Sequence, residues 1–100
     1  MVTMKAIVIG GQTFIGTAVE LPKTSLLAIS GQNGYVMCGA LDIGLLNEKL
    51  RERGIIAGRA VGVKTLDELL EGTIESATYE AEKRGVVPGM SVRDALLLIG

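Results

Sequence analysis

The first 41 residues are cut into short apolar runs by turn-forming residues, and that rhythm constrains the chain more than any other feature. Lys5 to Ile9 is a β-branched run that ends at Gly10-Gly11, a turn signal. Gln12 to Leu21 alternates with a period of two: Thr13, Ile15, Thr17 and Val19 share one face, and Gln12, Phe14, Ala18 and Glu20 share the other. Pro22 closes that run. Ser25 to Ile29 is a third apolar strand, followed by Asn33-Gly34, a hairpin dipeptide because both residues tolerate positive φ. Tyr35 to Leu41 returns as the fourth strand. Strands joined by turns this short pair antiparallel, so the segment reads as an antiparallel β-meander.

The pattern changes at Asp42, a good N-cap. Behind it Ile43, Leu46 and Leu50 fall on one helical face, with Asn47, Glu48, Arg51 and Glu52 on the other. Gly54 is placed to stop that helix. Ile55 to Val63 reads as a further strand, with Gly58 and Gly62 inside it. Thr65 followed by Glu68 forms a capping box for a short helix through Leu70, which Gly72 ends. Thr73 to Ala77 reads as a last short strand and Thr78 to Arg84 as a helix stopped by Gly85. Pro88-Gly89 then turns the chain, and Ser91 with Asp94 caps a final helix carrying Val92, Ala95, Leu96 and Ile99. The expected class is α+β over a single domain, residues 1–100. An N-terminal meander is followed by helix-strand-helix and by C-terminal helices packed on the sheet.

Composition bears on the partners. Hydrophobic residues make up 48% of 100 residues and mean hydropathy is +0.43, yet the only aromatics are Phe14, Tyr35 and Tyr79. A domain of this size buries only about 60–65% of its unfolded surface, so this much apolar content exceeds what one protomer hides. Burial between subunits is the simplest resolution, and a homo-oligomer is expected. Net charge is −1 and the ten Lys and Arg residues are dispersed, which argues against a nucleic-acid surface. No apolar run reaches membrane-spanning length, and the N-terminus lacks the pattern of a signal peptide, so the cytoplasm is the expected location. One cysteine and no histidine exclude an intramolecular disulfide and the usual Cys/His zinc sites. No cofactor is expected.

Several residues are candidate sites. The Gly10-Gly11 region imitates a dinucleotide-binding loop, but Thr13 stands where a glycine is needed, Pro22 would interrupt the following helix, and no acidic residue ends the next run. A Gly-Gly hairpin is the preferred reading. Cys38 lies near the end of a strand leading into a capped helix, with Gly39 leaving backbone room beside it. A helix N-terminus favours a thiolate, but no histidine is available as a base, and a cysteine among Val36, Met37 and Ala40 is commonly a small core hydrophobe. Arg59 shares a face with Ala57 and Val61 and needs a carboxylate, a carbonyl or a ligand anion. A structural ion pair or subunit contact is preferred over an anion clamp. Gly58 and Gly62 are open to two readings, room for a ligand or close packing. Asp67, Glu68 and Glu71 resemble a metal cluster, but capping and helix-dipole roles account for them without a metal. The charges from Glu75 to Arg84 read as a solvated helix face.

The block Gly34-Tyr35-Val36-Met37-Cys38-Gly39-Ala40-Leu41-Asp42, followed by Gly58-Arg59-Ala60-Val61-Gly62-Val63-Lys64-Thr65-Leu66-Asp67-Glu68-Leu69-Leu70, resembles the YunC-like proteins, a bacterial and archaeal family of unknown function. Gly89-Met90 and Arg93-Asp94-Ala95-Leu96 resemble its C-terminal pattern, and Cys38, Gly39, Gly62, Thr65 and Leu70 match it. The resemblance implies a small standalone α/β fold and brings no activity. Two readings are carried forward. The first is a homo-oligomeric structural or regulatory module that binds a protein or a small-molecule effector. The second is a small enzyme or ligand-binding protein with a site at a subunit interface around Cys38, Gly39, Arg59 and Gly62.

Overall fold

The computed structural model describes residues 1–40, 42–48 and 51–100. One six-stranded sheet runs in chain order: β1 (Val2–Ile9), β2 (Gln12–Leu21), β3 (Thr24–Ser30), β4 (Tyr35–Met37), β5 (Ala57–Arg59) and β6 (Ser76–Ala77). The first four strands form the expected antiparallel meander. β4 and β5 pair in parallel, and β6 returns antiparallel to β5. Helix α1 (Ile43–Glu48) and a 3-10 turn (Arg51–Arg53) lie in the parallel crossover. Helices α2 (Leu66–Leu70), α3 (Tyr79–Lys83) and α4 (Val92–Ile99) complete the α+β fold.

Local chemistry explains most of the boundaries. Gly10 and Gly11 join β1 to β2 with φ of 55° and 82°, the left-handed pair a two-residue hairpin needs. They are therefore a turn, and the residues after them form a strand rather than the helix of a nucleotide fold. Asp42 Oδ1 accepts from Leu45 N–H at 3.0 Å, Thr65 Oγ1 from Glu68 N–H at 3.1 Å, and Ser91 Oγ from Asp94 N–H at 3.1 Å. The Glu68 carboxylate closes its box on the N–H of Lys64 at 2.7 Å, one residue before the cap. Thr78 caps α3 and is nearly inaccessible to solvent.

Four expectations are modified, the first being that the strand expected over Tyr35 to Leu41 is pared to Tyr35–Met37, with Gly39 and Ala40 already in a turn. The β3–β4 hairpin forms, but neither Asn33 nor Gly34 takes positive φ. The loop has four residues, closed by Gly31 N–H donating to Gly34 C=O at 2.9 Å. Gly34 is required for closeness instead: a Cβ there would lie 2.6 Å from the Ile56 carbonyl oxygen and 2.7 Å from that of Ile99. The strand expected over Ile55 to Val63 is pared to Ala57–Arg59, because β4 offers only three residues for pairing and Gly62, at φ 75°, turns the chain away. The strand expected over Thr73 to Ala77 is likewise reduced to Ser76–Ala77, with Thr73 bridged to Ser91. Leu41 as a strand end and Leu50 on the apolar face of the first helix lie outside the described residues, as does the side chain of Arg51.

The register sorts side chains onto two faces. One row reads Lys5, Gly16, Ile29, Val36, Gly58 and Ala77 across the six strands. This face meets α2 and α4, and with Phe14, Leu27, Leu69, Ile74, Val86, Val92, Leu96 and Ile99 it makes the core. The adjacent row reads Met4, Thr17, Ala28, Met37, Arg59 and Ser76 and lies on the opposite face. There α1 packs against β5, where Ala57 is fully buried. At β1 and β2 that face carries exposed apolar residues: Val2, Met4, Val8, Ile15 and Leu21.

Candidate functional site

The sequence places candidate chemistry where β4 meets β5, and the parallel register there decides which residues meet. Val36 pairs with Gly58 and Met37 with Arg59. Cys38 continues the ladder beyond β4, its N–H donating to Leu27 C=O at 3.0 Å, so it shares the face of Val36. Arg59 shares the face of Met37. The two residues with the sharpest chemistry thus lie on opposite faces of one sheet.

Cys38 is buried in the main core. Its sulfur accepts from Leu27 N–H at 3.4 Å and lies 3.8 Å from the Ser25 carbonyl oxygen, to which the thiol donates. Gly58 lies on this same face, where a Cβ would come within 3.0 Å of Ile74 Cδ1, so its lack of a side chain serves close packing. Gly62 has nothing near its Cβ position, and its part is conformational.

Arg59 and Gly39 do come together. The guanidinium Nη2 donates to Gly39 C=O at 3.1 Å, and Nη1 reaches both Glu75 carboxylate oxygens at 3.4 and 3.5 Å. Its Nε is buried with no hydrogen-bond partner among the described residues. Ser76 Oγ donates to the same Glu75 carboxylate. These side chains border an open cleft of about 580 Å³ whose other wall is Ala40, Asp42, Ile43 and Gly44, the entry to α1. One guanidinium stands against the carboxylates of Asp42 and Glu75, so the cleft is not a cationic trap for anions. It offers acceptors, a hydroxyl and a partly engaged guanidinium to a polar ligand.

The far end of α1 borders a second groove of about 410 Å³, between Leu46, Asn47, Gly54 and Ile55 on one side and Thr78, Tyr79, Glu80 and Lys83 on the other. Asn47 Oδ1 accepts from Tyr79 N–H at 2.9 Å across it. Hydrogen bonding by Lys83, with Arg84 adding its charge, holds the Glu80 carboxyl below the usual carboxylate range. On the sheet, partial burial raises the Tyr35 phenol above its ordinary value. This groove is not legible in the sequence, because its two walls come from segments more than twenty residues apart.

The carboxylates that imitate a metal cluster go to separate partners. Asp67 pairs with Lys5 at 3.3 Å, Glu68 holds the Lys64 N–H, and Glu71 binds Arg93 through Nε at 3.0 Å and through Nη2. Among the described residues no three acidic or thiol groups cluster as metal ligands.

With this geometry in hand, relatives are informative. Residues 37–99 match the domain family described as a domain of unknown function, DUF1805. The chain belongs to that family. A relative, the uncharacterized protein YunC of Bacillus subtilis (strain 168), is 58% identical over 97 residues, spanning 97% of this chain and 96% of its own. The crystal structure of TA1206 from Thermoplasma acidophilum, described as a protein of unknown function, superposes with a TM-score of 0.89 at 37% identity. The match covers 100% of this chain and 94% of that one. The YunC-like resemblance read from Gly34 to Leu70 therefore holds over nearly the whole chain. The DUF1805 match takes in every residue of the Arg59 cleft and leaves β1 to β3 outside it. Among the described residues no helix is long and apolar enough to cross a membrane.

Proposed function

We propose that this DUF1805 protein is a homo-oligomeric, effector-binding module rather than an enzyme. The observation that carries the reading is the uncovered sheet face at β1 and β2. Val2, Met4 and Val8 are 62%, 66% and 65% exposed there, and Ile15 and Leu21 are 40% and 44% exposed. Fully burying one such side chain brings about 1.5–3 kcal/mol. Covering the exposed fractions brings roughly 4–8 kcal/mol per protomer, and twice that for a pair meets the approximate 4–15 kcal/mol cost of association.

The cleft beside Arg59 is where a small polar effector would be received, with Glu75 and Asp42 accepting and Ser76 and Arg59 donating. Cys38 is buried on the far face of the sheet and takes no part in this reading. Sedimentation velocity over a hundredfold concentration range is the test, with Ile15→Lys as the variant that charges the face. A mass of several 10.5 kDa chains that falls in Ile15→Lys is the expected result. A monomer at every concentration would refute the reading.

A further inference from the structure

Pro22 and Lys23 are the two-residue loop between β2 and β3, since Leu21 pairs with Thr24 across it. Proline fixes its own φ at about −65°, so the left-handed step of the loop falls to the next residue, where glycine or asparagine is the ordinary choice. Lysine stands there instead, at φ 65°, the one non-glycine residue with positive φ among the described residues. A Cβ in that region is crowded by its own backbone, and strain kept at one position points to a use for the side chain. Lys23 lines a cleft of about 450 Å³ with Thr24, Ser25, Val63 and Lys64. The far wall lies between Gly62, which turns the chain at φ 75° after β5, and α2, which packs against β3. No carboxylate lines this cleft. The Glu68 carboxylate holds the backbone N–H of Lys64, and Asp67 holds Lys5. Glu20 borders an adjoining hollow that shares Ser25 and Lys64, without an ion pair to either lysine. Among the described residues the ammonium groups of Lys23 and Lys64 and the hydroxyl of Ser25 have no partner.

We infer that this cleft binds the phosphate group of a small phosphorylated molecule, with the Lys23 and Lys64 ammonium groups neutralising its charge and the Ser25 hydroxyl donating to it. A phosphate monoester carries close to two negative charges at neutral pH and three acceptor oxygens, which matches two cations and a hydroxyl donor. Lysine serves phosphate as a point charge on a flexible stem, so both ammonium groups can close on it from opposite walls. The volume is that of a small-molecule site and exceeds what a phosphate alone fills. Val63, half-buried against the core, gives a carbon skeleton an apolar wall. The contrast with the Arg59 cleft is one of charge. There the guanidinium already has Glu75 and the Gly39 carbonyl, and Asp42 faces it; here two cations have no counter-charge. Two lysines are too small a footprint for a nucleic-acid strand, which takes a stripe of cations. Neither the Arg59 cleft nor assembly enters into this site.

Titrating isotope-labelled protein with glycerol 3-phosphate by NMR, at an ionic strength held constant with sodium chloride, tests this. The expected result is saturable amide shifts at Lys23, Thr24, Ser25, Val63 and Lys64, with a Kd in the millimolar range or tighter. Glycerol should shift nothing, and inorganic phosphate should compete for the same residues at least threefold more weakly. The Lys23→Gln, Lys64→Gln double variant should bind at least tenfold more weakly, with the rest of its spectrum unchanged. Shifts that fail to saturate by about 50 mM, that spread equally to Lys5 and Lys83, or that survive undiminished in the double variant would overturn the site. Inorganic phosphate binding as tightly as the ester would refute the organic ligand, and a thymidine decanucleotide binding more tightly would assign the cleft to nucleic acid instead. Lys23→Gly separates ligand from fold. It should raise the urea midpoint, because glycine accepts the left-handed φ, while weakening glycerol 3-phosphate at least threefold. A lowered midpoint would show that Lys23 serves the fold, and the strain would no longer argue for a ligand.

Discussion

Replacing Thr78 by valine should be among the most damaging conservative changes in this protein. Thr78 is the one buried polar side chain among the described residues, 2% exposed. Its hydroxyl accepts two bonds: from Ala81 N–H at 3.3 Å, as the cap of α3, and from Ala57 N–H at 3.1 Å, in β5. Valine keeps the shape and removes the acceptor. Loss of a cap costs about 1 kcal/mol, and an orphaned buried N–H at the fully buried Ala57 costs a further 2 kcal/mol or so. The expected total is about 3 kcal/mol, or roughly 12–24 °C in Tm for a domain of this size. Urea unfolding at one fixed protein concentration measures it, since the proposed association would contribute to apparent stability. Thr78→Ser keeps the hydroxyl and should lose only about 0.8 kcal/mol for the missing methyl. If Thr78→Val lies within 1 kcal/mol of wild type, or Thr78→Ser is equally damaging, the hydroxyl does not pin α3 to β5 as argued.

Gly34→Ala forces a methyl against two backbone carbonyl oxygens at 2.6 and 2.7 Å, which cannot step aside as a side chain would. A loss of about 3 kcal/mol is expected from the shift in urea midpoint, and a neutral result would mean the loop yields easily. The Cys38 thiol, buried in the core, should react with iodoacetamide in native protein at least a hundredfold more slowly than in denaturing urea. Equal rates in the two conditions would return Cys38 to the list of reactive groups.

Much of this fold could be read locally. The N-terminal meander, the caps at Asp42, Thr65 and Ser91 and the glycine turn at residues 10–11 depend on neighbours within four residues, and they appear as expected. What could not be read depends on partners distant in the chain. The run from Ile55 to Val63 has strand composition throughout, but a strand ends where its neighbour ends, and β4 supplies only Tyr35 to Met37. Period two put Arg59 with Ala57, which holds. Whether that face was also the face of Cys38 turned on the parallel register of β4 and β5, and a shift of one residue would have reversed the answer. The Asn33-Gly34 hairpin formed for a different reason than its dipeptide suggested, since the constraint at Gly34 comes from Ile56 and Ile99.

The same register fixes how the proposed assembly would relate to the cleft. β1 and β5 are four strand spacings apart, roughly 19 Å at about 4.8 Å each. A face contact at β1 and β2 would bridge part of that distance, because Met4, Thr17, Ala28, Met37 and Arg59 form one row across the sheet. A second copy laid on β1 and β2 extends along that row toward Met37 and the cleft rim. A ligand held by Arg59 and Glu75 would therefore bias the face contact. By linkage, face association would change the affinity for the ligand by the same factor.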